Sequence, residues 1–148
     1  MKIYVASSWR NNHQPDVVKA LREDGHTVYD YKKPEGEESK GFAWSEIDVG
    51  WQNWNREEYL LALQNPIAKH GFNRDMTALF ECQIYVYVMP CGVSASLEAG
   101  WAKGRGKKLI VYVPELKEPD LMVKMADYLC TELDEVKLLC TKIKKGEA

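Results

Sequence analysis

Glu98 is the residue of this sequence whose position best suits covalent chemistry. It lies within VMPCGVSASLEAGWAKGRGK, residues 88–107, a stretch that follows an apolar run and opens with Pro and Gly. This pattern predicts a strand that turns into a helix, with Glu98 in the first turns of that helix. A helix start stabilises negative charge, so we expect the carboxylate to stay ionised and able to act as a nucleophile. The structural alternative is a glutamate that only complements the helix dipole.

A carboxylate is a common nucleophile at a sugar carbon, because the transition state for breaking a glycosidic bond resembles an oxocarbenium ion. The departing group of such a reaction also needs a proton. Asp75 lies in DMTALFE, a mostly apolar segment ahead of a predicted strand, and its carboxyl group is a candidate proton donor. The alternative for Asp75 is a solvated residue on a helix surface.

The loop ASSWRN, which follows the first apolar run, contains residues suited to holding a phosphate: Ser7, Ser8 and Arg10. Hydroxyls and helix-start N–H groups donate to phosphate oxygens, and a guanidinium adds a forked contact. The alternative is an ordinary capped loop with a surface arginine. Among the aromatic side chains, Trp9 and Trp44 are the best candidates for stacking on a planar base. We expect most of the other aromatic side chains to be structural.

Five apolar runs predict the strands that must position these residues. Because they alternate with helical segments, we predict a parallel five-stranded sheet in the flavodoxin-like order 2-1-3-4-5, with helices on both faces. Ligands of such sheets bind beyond the carboxyl ends of the strands, so the loops after strands 1 and 3 are expected to converge. The predicted strands are 2–6, 26–29, 83–88, 108–113 and 128–131. The first predicted helix begins near Gln14, and another carries Glu98. The remaining predicted helices span 51–64, 66–80, 119–127 and 133–145.

Residues 31–50 have no sustained hydrophobic period and carry Pro and Gly, which predicts a long loop. Long loops in compact domains are often functional, and the aromatic residues at the end of this one favour a functional role.

Length and composition exclude several classes of protein. With 148 residues, we predict one domain over residues 1–148. The net charge of −2 lacks the basic surplus of a nucleic-acid binder, and no apolar run is long enough to span a membrane. The N-terminus does not resemble a secretory signal, and the four cysteines form no CxxC pair. We therefore predict a cytoplasmic protein with reduced thiols and neither a membrane nor a nucleic-acid partner.

Three stretches together resemble the nucleoside 2-deoxyribosyltransferase superfamily, which also includes N-glycoside hydrolases of deoxynucleoside and pyrimidine 5′-monophosphates. They are KIYVASSWR at the N-terminus, Asp75 ahead of the third strand, and PCGVSASLEAGWAKGRGK. The resemblance extends from Met1 to about Val113. Within it, the segment GFAWSEID is similar to bacterial and phage members.

The resemblance implies a role for each matching residue. Glu98 matches the glutamate that attacks C1′ of the sugar, and Tyr4 matches a tyrosine that orients this carboxylate. Asp75 matches an aspartate that assists the base, while Ser8 and Arg10 match residues that contact the 5′-phosphate in the hydrolases. The resemblance also implies no metal or other cofactor, a nucleoside or nucleotide substrate, and a homodimer or larger homo-oligomer with shared sites.

The glycine-rich turn departs from the transferase pattern. Transferases carry a further aspartate six residues before the nucleophile, where this chain has Gly92, with Ser94 and Ser96 nearby. Hydrolases place a phosphate-binding serine in this region, and Ser94 is a candidate for that role; Gly92 and Ser96 are further substrate-binding candidates. We therefore predict that Glu98 cleaves, or transfers, the N-glycosidic bond of a nucleotide. The alternatives are a non-catalytic nucleotide-binding or sensor module and a glycohydrolase of dinucleotides such as NAD.

Overall fold

The computed structural model describes all 148 residues and contains one parallel sheet of five strands. The strand order is β2-β1-β3-β4-β5, and every neighbouring pair of strands is parallel. This order confirms the predicted flavodoxin-like sheet. The strands are β1 (Lys2–Ala6), β2 (Thr27–Asp30), β3 (Ile84–Val88), β4 (Lys108–Tyr112) and β5 (Tyr128–Cys130).

Five α-helices and three short 3₁₀ helices connect and flank the strands. None of these helices has both the length and the apolar character needed to cross a membrane. The α-helices are α1 (Gln14–Glu23), α2 (Arg56–Ala62), α3 (Pro66–Glu81), α4 (Val93–Gly104) and α5 (Leu133–Lys144). The 3₁₀ helices span Trp44–Glu46, Trp51–Asn53 and Leu121–Met125.

Helices cover both faces of the sheet, as predicted, and the two faces differ in their side chains. Successive residues of a strand point to opposite faces. The face under α1 and α5 is aliphatic for most of its area, whereas the face under α4 carries the tyrosines of β1 and β3. The core of the first face includes Ile3, Val5, Ile84, Val86, Val88 and Ile110 from the strands, Val17, Val18 and Leu21 from α1, and Val136, Cys140 and Ile143 from α5. The second face includes Tyr4, Tyr85 and Tyr87, packed near Ala95, Ala99 and Ala102 of α4.

The predicted helix over 51–64 was wrong in its first half. A 3₁₀ turn ends at Asn53, and α2 begins only after Asn55. The Asn55 side chain accepts a hydrogen bond from Glu58 N at 2.8 Å, and the Glu58 carboxylate accepts one from Asn55 N at 3.3 Å. This reciprocal capping box starts a helix, so no helix continues through residue 55. The helix predicted over 119–127 was also too long, since only the 3₁₀ helix Leu121–Met125 forms there.

Helix α3 is continuous through Gly71, where the sequence also allowed a turn. A Cβ atom at Gly71 would lie 3.0 Å from Cβ of Phe42, which is too close for a side chain without a shift of the ring. The glycine therefore lets Phe42 pack directly on the α3 backbone.

The chain divides into two compact units. The first comprises Met1–Asp30 and Leu79–Ala148 and contains the whole sheet with α1, α4 and α5; the second comprises Tyr31–Ala78 and contains α2. The second unit includes the predicted long loop, which is irregular apart from its 3₁₀ helix at Trp44–Glu46. One domain over residues 1–148 stays a prediction.

Candidate functional site

The loops that follow β1 and β3 converge at the carboxyl edge of the sheet. The backbone N–H of Ser8 donates to Pro90 O at 3.0 Å. The side-chain amide of Asn11 donates to Val88 O at 2.9 Å and to Pro90 O at 3.1 Å. These three hydrogen bonds join the serine-containing loop to the loop that leads into α4, which confirms the predicted convergence of the two loops.

The loop after β1 forms a tight turn that exposes two of the predicted binding residues. Asn11 N donates to Ser8 O at 3.1 Å and closes the turn, so that Trp9 and Arg10 occupy its tip. Trp9 is 54% exposed and Arg10 is exposed, whereas Ser7 is buried and donates its hydroxyl proton to Ser8 O at 2.8 Å. Ser8 lies between these extremes, partly buried. Their binding roles stay predictions, and Arg10 is the charged side chain that the turn presents.

Helix α4 carries Glu98 as its sixth residue, which is the second turn of the helix. The predicted placement in the first turns of a helix is therefore correct. The dipole effect falls off within the first turn, and α4 has no acidic residue there, so ionisation of Glu98 by the helix terminus stays a prediction. The groups around Glu98 also act on its carboxylate.

Those surroundings are aromatic and contain thiol groups. Burial raises the pKa of Tyr85 well above its usual value, and the negative charge of Glu98 raises it further. Burial also raises the pKa of Cys91 to about 12 and of Cys82 to about 11, and the Glu98 charge acts in the same direction on both. The half-buried Glu98 carboxylate is thus close enough for its charge to act on Tyr85 of the tyrosine face and on the two thiols that flank β3.

Tyr4 lies on the same face and is 1% exposed. Its ring stacks on Tyr85, with ring centroids 5.2 Å apart and planes inclined by 18°, and it contacts Tyr29 at 5.0 Å. Tyr4 and Glu98 are thus both neighbours of Tyr85. The structure brings these two predicted catalytic residues to one region of the tyrosine face, while the role of each stays a prediction.

The glycine–serine turn before α4 places its three candidate residues differently. Gly92 is the N-cap in extended conformation, and a Cβ atom built on it would meet no heavy atom within 4 Å. Ser94 is exposed in the first turn of α4. The Ser96 hydroxyl lies 2.8 Å from Gly92 O, to which it donates, and 2.9 Å from the Tyr87 hydroxyl. Ser96 thus already makes hydrogen bonds inside the protein, whereas Ser94 faces solvent.

Asp75 and Trp44 belong to the Tyr31–Ala78 unit. Asp75 is the tenth residue of α3 and is partly buried. The Trp44 ring makes edge-to-face contacts with Phe42, Trp54 and Tyr59, with centroids 4.8, 5.6 and 5.9 Å away. Trp44 is therefore the centre of an aromatic cluster, a packing role that we predicted for most of the other aromatic residues and not for Trp44. Base stacking by Trp44 and proton donation by Asp75 stay predictions.

Sequence reasoning missed the buried polar residues at this edge of the sheet. Asn11 is 4% exposed, although it stands in a polar loop where side chains usually face solvent. Gln14 is fully buried at the start of α1, and its Nε2 donates to Oδ1 of Asp30 at 2.9 Å. Tyr85 and Tyr87 were also missed, and here a signal existed. Tyrosines alternate with aliphatic residues in IYVYV, which is typical of a strand with two different faces.

A cavity of about 600 Å³ lies along α4, and its lining includes the predicted binding residues Gly92 and Ser96 but not Tyr4. Its walls are mostly apolar, and the exposed carboxylate of Asp120 is its one charged group. Glu98, Ser8 and Arg10 do not line it. The cavity is bounded by Tyr87 and Val111 of the sheet, Val93, Ser96, Leu97 and Gly100 of α4, and Leu121, Met122, Val123 and Met125 of the 3₁₀ helix.

Solved structures share this architecture, although no known family model and no curated protein sequence matches the chain. A 2-deoxyribosyltransferase from Bacillus psychrosaccharolyticus, described as a biocatalyst for nucleoside synthesis, aligns with a TM-score of 0.60. The identity is 18%, over 93% of this chain and 90% of the transferase. The CMP N-glycosidase BcmB of Clostridium botulinum aligns with a TM-score of 0.53 at 16% identity, over 95% of this chain and 99% of the glycosidase. This chain has the fold of these two enzymes.

Proposed function

We propose that this chain belongs to the nucleoside 2-deoxyribosyltransferase superfamily and cleaves, or transfers, the N-glycosidic bond of a nucleotide. The observation that carries the proposal is the junction of the two loops. Hydrogen bonds from Ser8 and Asn11 to Pro90 join the predicted phosphate-binding turn to the segment that begins α4, the helix of Glu98. The fold shared with a 2-deoxyribosyltransferase and a CMP N-glycosidase supports the same reaction class.

In the proposed reaction, the Glu98 carboxylate attacks C1′ of the sugar while the bond from C1′ to the base nitrogen breaks. The base leaves with the bonding electron pair and takes a proton, for which Asp75 is the proposed donor. The result is a glycosyl ester of Glu98. In hydrolysis, water attacks C1′ and gives a proton to the Asp75 carboxylate, while the bond between C1′ and the Glu98 oxygen breaks; the free sugar phosphate leaves and the Glu98 carboxylate is restored. In transfer, the nitrogen of a second base attacks C1′ instead and gives its proton to Asp75.

The tyrosine face supports Glu98 in this role. A carboxylate beside buried rings is less hydrated than one in water, and electrostatic interactions are stronger in such surroundings. A developing positive charge on the sugar ring is therefore stabilised more by Glu98 here than by an exposed carboxylate. We propose that the Tyr4 hydroxyl orients the carboxylate, which is consistent with the position of both residues next to Tyr85.

The proposed phosphate contacts come from Ser7, Ser8 and Arg10 of the turn and from Ser94 in the first turn of α4. The exposed Arg10 supplies a forked cation, and the first turn of α4 supplies backbone N–H groups that no side chain caps. At Gly92 the chain has no carboxylate to repel a phosphate, even though there is space for a side chain. These features favour a phosphorylated substrate over a free nucleoside. Trp9 at the tip of the same turn is the proposed stacking partner of the base.

A homo-oligomer is part of the proposal. Apolar side chains beside the 600 Å³ cavity are exposed, with Val93 at 78%, Leu97 at 71% and Leu121 at 81%. Contiguous apolar surface of this kind is typical of interaction sites. It supports self-association through this face, which sedimentation equilibrium of the purified protein would detect.

The deciding experiment incubates the protein with a panel of nucleosides, their 5′-monophosphates and dinucleotides, and quantifies free base by chromatography. We expect base release from at least one monophosphate. Glu98→Gln should lower kcat at least about a thousandfold and keep binding, because the amide is isosteric but is not a nucleophile. Glu118→Gln makes the same chemical change at an exposed site and should have no effect.

Arg10→Ala tests the phosphate assignment in the same assay. We expect KM for the monophosphate to rise about tenfold or more, with little change for the nucleoside, since a charge-assisted contact is lost. Arg56→Ala, at an exposed arginine, is the matched control. Full activity of Glu98→Gln would exclude the mechanism. Saturable nucleotide binding without base release would favour a sensor module, and release only from dinucleotides would favour a dinucleotide glycohydrolase.

A further inference from the structure

Asn11 makes more connections between the two loops than any residue that the sequence singled out. It is 4% exposed. Its side-chain amide donates one hydrogen bond to Val88 O at 2.9 Å and one to Pro90 O at 3.1 Å. Its Oδ1 accepts a hydrogen bond from His13 N at 2.8 Å, just before α1 begins. The side chain therefore connects the end of β3, the turn that follows it and the start of α1.

The backbone of Asn11 adds a fourth connection. Asn11 N donates to Ser8 O at 3.1 Å, so Asn11 is the last residue of the turn whose tip carries Trp9 and Arg10. The first residue of the turn, Ser8, is held to Pro90 O by its own N–H. Both ends of the turn are thus attached to the same peptide carbonyl. The Arg10 side chain is exposed. Its backbone belongs to the turn, so the turn fixes the point from which the side chain extends.

We propose that Asn11 is a positioning residue that couples the loop after β1 to the loop after β3, and so sets the place of Arg10 relative to α4. The coupling follows from the hydrogen bonds themselves. Its consequence for phosphate recognition rests on the function proposed above. Asn11 does not itself touch the reacting atoms in this scheme, since its side chain is buried and the three side-chain hydrogen bonds described above join it to backbone groups.

The side chain of Asn11 suits this position because an amide both donates and accepts. It donates to two carbonyl oxygens, which also accept from the Cys91 thiol and from Ser8 N, and it accepts from His13 N, all on a short side chain. An aspartate at the same place would direct a buried carboxylate at two carbonyl oxygens and lose both donors. The neighbouring Asn12 is exposed, so the same substitution there provides a matched control.

The first test measures amide hydrogen exchange in the 148-residue protein. In Asn11→Ala, we expect faster exchange in residues 7–13 and 89–95, with β4 and β5 unchanged. Asn12→Ala should exchange like the wild type throughout. If Asn11→Ala does not fold, the measurement uses Asn11→Ser instead, because the serine hydroxyl can still donate a hydrogen bond to one of the two carbonyl oxygens. Unchanged exchange in both loops of a folded variant would overturn the coupling.

The second test measures selectivity for the phosphate in steady-state kinetics. Asn11→Ala should raise KM for the monophosphate about tenfold and leave the kinetics of the nucleoside nearly unchanged. In the Arg10→Ala background, Asn11→Ala should have little further effect on the ratio of KM for the monophosphate to KM for the nucleoside. The contact that Asn11 positions is already absent in that background. Equal losses for both substrates, or effects that simply add, would identify Asn11 as merely structural and overturn its role in phosphate recognition.

The two tests keep this proposal separate from the proposed function. If the wild-type protein neither binds nor cleaves any nucleotide, the proposed function fails and so does the role of Asn11 in phosphate selectivity. The exchange measurement still decides the coupling of the two loops, because it needs no substrate.

Discussion

The two faces of the sheet are built from the same strands with different side chains. On the α1/α5 face, β1 contributes Ile3 and Val5, and β3 contributes Val86. One residue along, on the α4 face, the same strands contribute Tyr4 and Tyr85. The first face buries mainly aliphatic side chains, with Tyr112 of β4 at its margin, whereas the second carries the hydroxyl groups of Tyr4, Tyr85 and Tyr87.

The helices that cover the two faces differ in a corresponding way. Helices α1 and α5 bring large aliphatic side chains to the sheet, which fill the space by interdigitation. Helix α4 brings alanines, so the tyrosine rings fill the space and their hydroxyls reach the helix: Tyr85 Oη donates to Ala95 O at 3.0 Å. One face therefore mainly contributes stability. The other uses specific hydrogen bonds to fix α4, which carries Glu98.

The largest effect is expected when a buried side chain on the α1/α5 face is truncated, which tests whether this face mainly contributes stability. Ile110 of β4 is fully buried there, and Ile110→Ala should lower the free energy of unfolding by about 2–5 kcal/mol, from lost burial and the cavity left behind. Leu116→Ala, at a side chain that is 69% exposed and lies outside the proposed self-association face, should cost less than about 0.5 kcal/mol. Urea unfolding measures both values. A loss at Ile110 no larger than that at Leu116 would contradict the role assigned to this face.

The tyrosine face should respond in activity rather than in stability. Tyr4→Phe keeps the ring that stacks on Tyr85 and removes only the hydroxyl. If that hydroxyl orients Glu98, kcat on a cleaved nucleotide should fall by about ten- to a hundredfold, while the melting temperature changes little. Val5→Ala, one residue along on the other face, is the converse control and should lower stability with kcat nearly intact. Wild-type kcat in Tyr4→Phe would remove Tyr4 from the mechanism.

A smaller effect is expected where a tyrosine fixes α4 directly. Tyr85→Phe removes the hydrogen bond to Ala95 O and should cost about 1 kcal/mol of unfolding free energy, the usual net value of such a bond. Because Ala95 lies one turn before Glu98 on α4, the loss should also lower kcat by a few-fold. Tyr112→Phe, on the other face, offers a control in which kcat stays unchanged. Identical kinetics in the two variants would mean that the hydrogen bond of Tyr85 does not help to place α4.

The sequence predicted the sheet well because each strand is an unbroken apolar run between helical segments. Five runs in alternation with helices imply parallel pairing and crossover connections, and the order 2-1-3-4-5 followed. The errors fall where local capping decides the structure. The pattern WQNWNREEYL reads as one helix, but the side chain of Asn55 caps a helix start within it. Such a cap competes with helix continuation at a single residue, which periodicity does not detect.

For the candidate site, the sequence predicted the meeting of two loops but not the residues that join them. Strand order alone implies that the loops after β1 and β3 converge. That Asn11 is buried, whereas Asn12 beside it is exposed, depends on the path of the backbone through the turn. The sequence pattern singled out Glu98, and the resemblance added Tyr4. Their common neighbour Tyr85 became evident only when β3 was placed beside β1 with Tyr4 opposite Tyr85.

The smallest predicted effect is the loss of stability at acidic pH. It should arise on the α1/α5 side of the sheet and not on the tyrosine face. His26 is buried immediately before β2, and its backbone N–H donates to Leu21 O of α1 at 3.1 Å. Burial lowers the pKa of His26 below its ordinary 6.5; the charges of the N-terminal amine and Lys144 act in the same direction, and Asp24 opposes them. On the other face, burial raises the pKa of Tyr85 and Tyr87, so their hydroxyls stay protonated throughout the acid range.

The direction of the pH effect depends on how many protons the folded and the unfolded states bind. Below pH 6.5 the unfolded chain protonates His26 while the folded protein resists it, so the free energy of unfolding should fall as pH decreases through this range. His26→Leu removes the titrating group and should flatten the stability profile between about pH 7.5 and 5.5 relative to the wild type, as measured by urea unfolding at each pH. Tyr87→Phe should leave the shape of that acid profile unchanged. Parallel profiles for wild type and His26→Leu would show that acid sensitivity arises elsewhere than on the α1/α5 side.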